Sequence, residues 1–241
     1  MAQDNHELMT PPDISHIVTE DDTPVDSVFA EKQARLLTEP LYTSWAGPES
    51  GMFWAASNVG LFYQISEPPI VPDMMLSLNV KPGDFGIPKE RRSYFTFAYG
   101  KPPDVVIEFV SNTEGNENGS KLKTYAKASA SYYVIYDPEM IILRQPLRIM
   151  YLHANKYVDN GSQFLDGVGL GLTIWNGEFE SMQAPWLRWT DASGVLIPTG
   201  SERAVREEQR AEQAEQRVEQ AEQRAAKLSA MLRELGKNPD A

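Results

Sequence analysis

The chain falls into stretches of different hydrophobic period. Residues 1–24 are polar and rich in Pro and Asp with no periodicity, which predicts a flexible acidic arm. Over 25–38 (VDSVFAEKQARLLT), Val25, Val28, Phe29 and Leu36 recur at helical spacing, predicting a helix with one face on the core. From 52 to 80 the pattern is strand-like, FWAASNVGLFYQIS and then IVPDMMLSLNV. Residues 81–102 are dense in Pro, Gly and charge and read as a long connection. A strand over 104–110 follows, then a loop marked by Gly115 and Gly119. Ser120 is placed to cap a helix over 121–129 whose face carries Leu122, Tyr125 and Ala126. SYYVIYDPE, LRIMYLHA and the LGLTIW region are further strand candidates, and WLRWTDASGVLIP reads as a late hairpin. This order predicts an α/β or α+β domain over residues 25–198.

The tail, residues 201–236, has a different period. Ala211, Ala214, Val218, Ala221, Ala225, Leu228, Leu232 and Leu235 fall at alternating spacings of three and four, with Gln, Glu and Arg outside the seam. Such a seven-residue repeat predicts a coiled-coil helix that pairs two copies through residues 204–235 as a homodimer. A single helix folded back on its own domain is the alternative.

Composition narrows the class. With 241 residues and 41% hydrophobic content, the chain can bury one sizeable core beside an appendage. No apolar run is long enough to span a bilayer, and the acidic N-terminus has no apolar signal region, so a cytoplasmic protein with no membrane contact is expected. The absence of cysteine excludes disulfides and thiolate metal sites. The net charge of −12 opposes generic nucleic-acid coating. Local basic groups remain: Lys89, Arg91, Arg92 and Lys101 around one segment, and Lys121, Lys123 and Lys127 in another.

Candidate chemistry starts at Glu108, an acid inside the buried-strand pattern VVIEFV. Burying a carboxylate costs several kcal/mol unless something cationic compensates. Strand alternation puts Asp104, Val106, Glu108 and Val110 on one face, but Asp104 lies about 13 Å away along a straight strand. A neighbouring strand, about 4.8 Å away, is the better source of a second acid. Asp73, in the apolar run VPDMM, is the candidate. Two facing acids repel unless a cation lies between them, and hard oxygen ligands favour magnesium or manganese. His6, His16 and His153 show no ligand spacing. Lys121 and Lys123 begin the helix after the loop, so the chain can return them to the Glu108 face. The residues alone leave open that Asp73 caps a turn, that Glu108 bonds backbone or an arginine, and that Lys121 is surface.

The segments PPIVPDMML, PPDVVIEFVSNTEGNENGSKLKTYAKA and YYVIYDPE, in this order, resemble the Uma-two family of restriction-endonuclease-like proteins. The LRWTDASGVLIPTGSERA run and the AEQ-rich tail are similar to cyanobacterial members with a C-terminal coiled coil. The resemblance implies a PD-(D/E)XK nuclease core, an α/β fold with a central mixed sheet flanked by helices. It matches Asp73 and Glu108 to the family's two acids and Lys121 to its lysine. Val110 stands where the wider superfamily usually has that lysine. Three departures stand out: Ser111-Asn112-Thr113 after the glutamate, Glu117 where Asp is usual, and no histidine in the first helix.

These readings together predict a metal-dependent endonuclease hydrolysing DNA, with catalytic Asp73, Glu108 and Lys121. Asp73 and Glu108 would hold Mg²⁺ or Mn²⁺, while Lys123, Arg91 and Arg92 would contact the nucleic acid. The alternative is a catalytically inactive nuclease-fold module that binds nucleic acid or protein and oligomerises through its coiled coil.

Overall fold

A computed structural model describes residues 27–80, 92–111, 117–159 and 161–234; the expected arm and Arg91 lie outside the described residues. The first helix, α1 (Val28–Thr43), is started by Ser27, whose Oγ accepts the Ala30 N–H at 3.0 Å. Strands β1 (Phe53–Ala56), β2 (Leu61–Phe62) and β3 (Met74–Leu78) follow, then β4 (Tyr94–Phe95) and a one-turn helix α2 (Thr96–Tyr99). Next come β5 (Val105–Phe109), a π-helical turn (Glu117–Lys121) running into α3 (Leu122–Lys127), and β6 (Tyr132–Tyr136). The remainder is β7 (Leu147–His153), β8 (Lys156–Asp159), β9 (Phe164–Leu165), β10 (Leu170–Phe179), β11 (Met182–Thr190) and α4 (Gly200–Glu234).

The main sheet has six strands in the order β1-β3-β5-β6-β7-β8. Its pairs are antiparallel except β5–β6, so the sheet is mixed. A parallel neighbour cannot be reached by a hairpin. The chain must cross over one face, and α3 is carried on that crossover. One core lies on the face of Val105, Ile107 and Phe109, covered by Leu37 and Leu41 of α1 and by Leu172, Leu187 and Trp189 of the three-stranded sheet β11-β10-β9. The other lies on the face of Val106 and Val110, beneath Tyr125 of α3 and beside Leu61 and Tyr94 of the small parallel sheet β2–β4.

Helix α1 also closes an exposed edge. Leu187 sits on β11, an outer strand, and strand edges carry unpaired backbone groups. The Gln33 amide acts as a short strand there: its Nε2 donates to the Leu187 carbonyl and its Oε1 accepts the Leu187 N–H, both at 2.9 Å. Trp189 Nε1 donates to the Leu37 carbonyl at 2.8 Å.

Two expectations about local structure change. The described part of the expected long connection holds β4 and α2, which at two and four residues are too short to leave a readable period. Ser120 lies inside the π-helical turn and does not cap a helix; its carbonyl accepts from Thr124 Oγ1 at 3.1 Å.

The chain divides into two compact units between Ile197 and Pro198. In the second, Thr199 caps α4 reciprocally: its Oγ1 accepts the Glu202 N–H at 3.1 Å and its own N–H donates to Glu202 Oε2 at 2.8 Å. Along α4, Val218, Leu228 and Met231 are exposed. Among the described residues, no helix is long and apolar enough to cross a membrane.

Replacing Gln33 by Leu strands both backbone groups of Leu187 in a buried place. A loss on the order of 1–3 kcal/mol is expected, read as a lower urea midpoint with unchanged slope. An unchanged midpoint would show that the edge is satisfied some other way.

Candidate active site

Antiparallel pairing of β3 with β5 sets Met74 opposite Ile107. Continuing that register by one residue puts Asp73 beside Glu108, on the face shared with Met75, Val106 and Val110. Asp73 is half-buried and its Oδ2 accepts the Phe109 N–H at 2.5 Å. The carboxylate therefore prolongs the ladder just before β3 begins, which fixes its position relative to β5.

Glu108 has no solvent exposure. Both of its oxygens are engaged from the crossover. The Tyr125 hydroxyl donates to Oε1, and Lys121 Nζ donates to Oε2 at 2.9 Å. Lys121 also reaches Glu117 Oε1 at 3.3 Å, and its side chain keeps 29% exposure. Glu117 is 4% exposed; its carbonyl accepts from the Tyr133 hydroxyl at 2.8 Å. Glu117, Lys121 and Tyr125 stand four residues apart, so one face of a helical segment delivers all three. The structure thus brings Asp73, Glu108 and Lys121 together.

Two other acids on the same sheet show what a structural carboxylate looks like here. Asp137, fully buried after β6, accepts the N–H groups of Ile141, Ile142 and Leu143, each at 2.8 Å. Asp104 accepts the Leu78 N–H at 2.7 Å and binds Lys101 at 2.5 Å. Asp137 organises the turn after β6, and Asp104 ties the start of β5 to β3, each through backbone amides. Among the described residues Glu108 receives only side-chain donors, a lysine and a tyrosine.

The electrostatics follow. Burial first, and the neighbouring Asp73 charge second, push Glu108 up to about 8 despite the opposing pull of Lys121 and Tyr125. For Lys121, burial works against the charged form, but Glu108 and Glu117 outweigh it and hold the ammonium above its ordinary pKa. Burial and the facing Glu108 raise the Tyr125 phenol well above its usual value, so it serves as a donor. Two acids confronting one lysine leave the site short of positive charge.

Other expected residues lie elsewhere. Lys123 and Arg92 are exposed on the surface. Val110 is buried in the apolar core, and His153 is exposed at the end of β7. A cavity of about 250 Å³ lined by Tyr132, Ile149, Tyr151, Phe164 and Asp166 shares no residue with the site. Sequence reasoning missed Tyr125, Tyr133 and Glu117 as site members. For Glu117 and Tyr125 a signal existed, the four-residue steps either side of Lys121.

In the metal-free protein, a raised Glu108 pKa favours the folded state while that group holds its proton. The contribution is complete below about 4.5, the ordinary value, and is lost as pH rises through about 8. Melting temperature should therefore fall from pH 6 to 9 relative to Glu108→Gln, whose neutral amide does not titrate. A constant gap between the two proteins over that range would rule out the raised pKa.

The Uma2 family model, described as a putative restriction endonuclease, matches residues 21–158. No curated protein matches the chain. The matched stretch exceeds half of the 241 residues and contains Asp73, Glu108, Glu117 and Lys121, and on that ground the chain belongs to the Uma2 family.

Proposed function

We propose that this protein is a divalent-metal-dependent endonuclease that hydrolyses DNA phosphodiester bonds. The observation that carries the reading is Glu108: a carboxylate without solvent exposure, beside Asp73, with Lys121 Nζ at 2.9 Å. Membership of a family described as putative restriction endonucleases supports it.

Asp73 and Glu108 are hard oxygen donors, and the charge deficit at the site suits a cation. Among the described residues no group of three His, Cys, Asp or Glu is arranged to hold a metal ion. Two carboxylates fit Mg²⁺ or Mn²⁺, which fill their remaining positions with waters and phosphate oxygens. Such an ion, when bound, polarises a phosphoryl oxygen and lowers the pKa of a ligated water. Phe109 N–H orients Asp73, and the Tyr125 hydroxyl holds one oxygen of Glu108, so both carboxylates are already oriented and the Lys121 contact is the one Glu108 would exchange for the cation. Lys121 keeps part of its side chain in solvent and presents an ammonium to the charge developing on the scissile phosphate. Exposed Lys123 and Arg92 support backbone contact.

Paired α4 helices, through residues 204–235, would supply two sites for two strands. The exposed seam residues Val218 and Leu228 support that pairing. The net charge of −12 favours a second reading, a nuclease-fold module without catalysis.

Supercoiled plasmid with Mn²⁺ separates these. Wild type should nick it, and Glu108→Gln and Lys121→Ala should each lose on the order of 10²-fold or more in rate. Titration calorimetry should show Mn²⁺ binding weakened in Glu108→Gln and retained in Lys121→Ala. A wild type that neither nicks nor binds Mn²⁺ ends the enzyme reading in favour of the module. In sedimentation, wild type should behave as a dimer and Val218→Lys/Leu228→Lys as a monomer. Identical behaviour of the two would remove α4 as the pairing element.

A further inference from the structure

Lys121 lies between two buried carboxylates, and the proposed chemistry asks one of them to turn to a metal. We propose that Glu117 is the positioning residue for Lys121, anchoring the ammonium at the site when Glu108 gives its oxygens to a divalent cation. This rests on the reading of Glu108 as a metal ligand, whereas the pairing of Glu117 with Lys121 exists without it.

The backbone of Glu117 is pinned where the π-helical turn begins, because the Tyr133 hydroxyl of β6 donates to its carbonyl at 2.8 Å. Its carboxylate is therefore delivered from a fixed point on the sheet. Oε1 accepts from Lys121 at 3.3 Å, while Oε2 is buried and has no hydrogen-bond partner among the described residues. A buried acceptor left unmade is costly, so a spare oxygen in this place needs an account.

An ammonium has three N–H donors, and Lys121 commits one to Glu108 and one to Glu117. A carboxylate oxygen bound to a metal is a poorer acceptor, and two cations a few ångströms apart repel each other. Without a second anion, metal binding at Glu108 would therefore push Lys121 away. The unfilled Oε2 of Glu117 is the acceptor for the N–H that Glu108 releases. One carboxylate then serves the cation and the other serves the lysine.

The test uses the full chain, first without metal. Acylation of Lys121 by an amine-reactive ester is followed by mass spectrometry in wild type, Glu108→Gln, Glu117→Gln and the double variant. Glu108→Gln stands in for a Glu108 engaged elsewhere, and the neutral isosteric changes keep the packing. Lys121 should label in Glu108→Gln within about threefold of wild type, and roughly tenfold or more faster in the double variant, the scale of a lost supporting partner. Equal labelling in Glu108→Gln and the double variant overturns the proposal. In Mn²⁺-dependent cleavage, Glu117→Gln should lower kcat by roughly 10–100-fold with Mn²⁺ affinity unchanged, and Glu117→Asp should restore most of it. Mn²⁺ affinity falling in step with kcat overturns it too, because Glu117 would then be a metal ligand. A wild type that neither binds Mn²⁺ nor cleaves DNA overturns the nuclease reading alone, since the metal-free labelling still decides whether Glu117 anchors Lys121.

Discussion

A carboxylate with no solvent exposure is tolerated in a protein interior only when its surroundings replace the lost water, and at Glu108 that requirement organises the crossover between β5 and β6. Lys121 and Tyr125 ride on this connection and take one oxygen each. Because β5 and β6 are parallel, the chain has to travel back over the sheet face. That return path puts the π-helical turn and α3 above Glu108. The single parallel pair in the main sheet is thus the topological reason that a lysine thirteen residues later in the chain reaches this acid.

The opposite face of the sheet makes the platform stiff enough for such a site. Helix α1 and the three-stranded sheet close the larger core, and Gln33 joins them by pairing with the free edge of β11. Side chains set on a packed sheet hold their positions better than side chains on loops. The comparison of acids within this one sheet is equally informative. Asp137 is met by backbone amides of the turn after β6, and Asp104 by the Leu78 amide of the neighbouring strand and by Lys101. Glu108 is met in mid-sheet by ionisable side chains and by a second acid, which is how perturbed groups at functional sites are arranged.

Helix α4 follows a separate logic. Its reciprocal Thr199–Glu202 cap is local, and its seam of small and aliphatic residues recurs at a coiled-coil period. Nothing in that pattern depends on the sheet. The carboxylate site and the helix therefore arise from independent parts of the sequence, one from sheet register and the other from a local repeat.

What the sequence determined by itself was local. Period-two alternation placed Glu108 on one face with Val106 and Val110, and the acid in VPDMM marked Asp73 as its neighbour across strands. The order of motifs indicated the family, and the three-four spacing marked the tail. Tertiary structure decided the rest, for physical reasons that no local window contains. Strand register, which sets Asp73 against Glu108, is chosen by packing across the whole sheet. The engagement of Tyr125, Glu117 and Tyr133 depends on how the crossover lies over β5 and β6. The two-residue strands and the one-turn helix between β3 and β5 are held by tertiary contacts alone, since segments that short have no stability of their own.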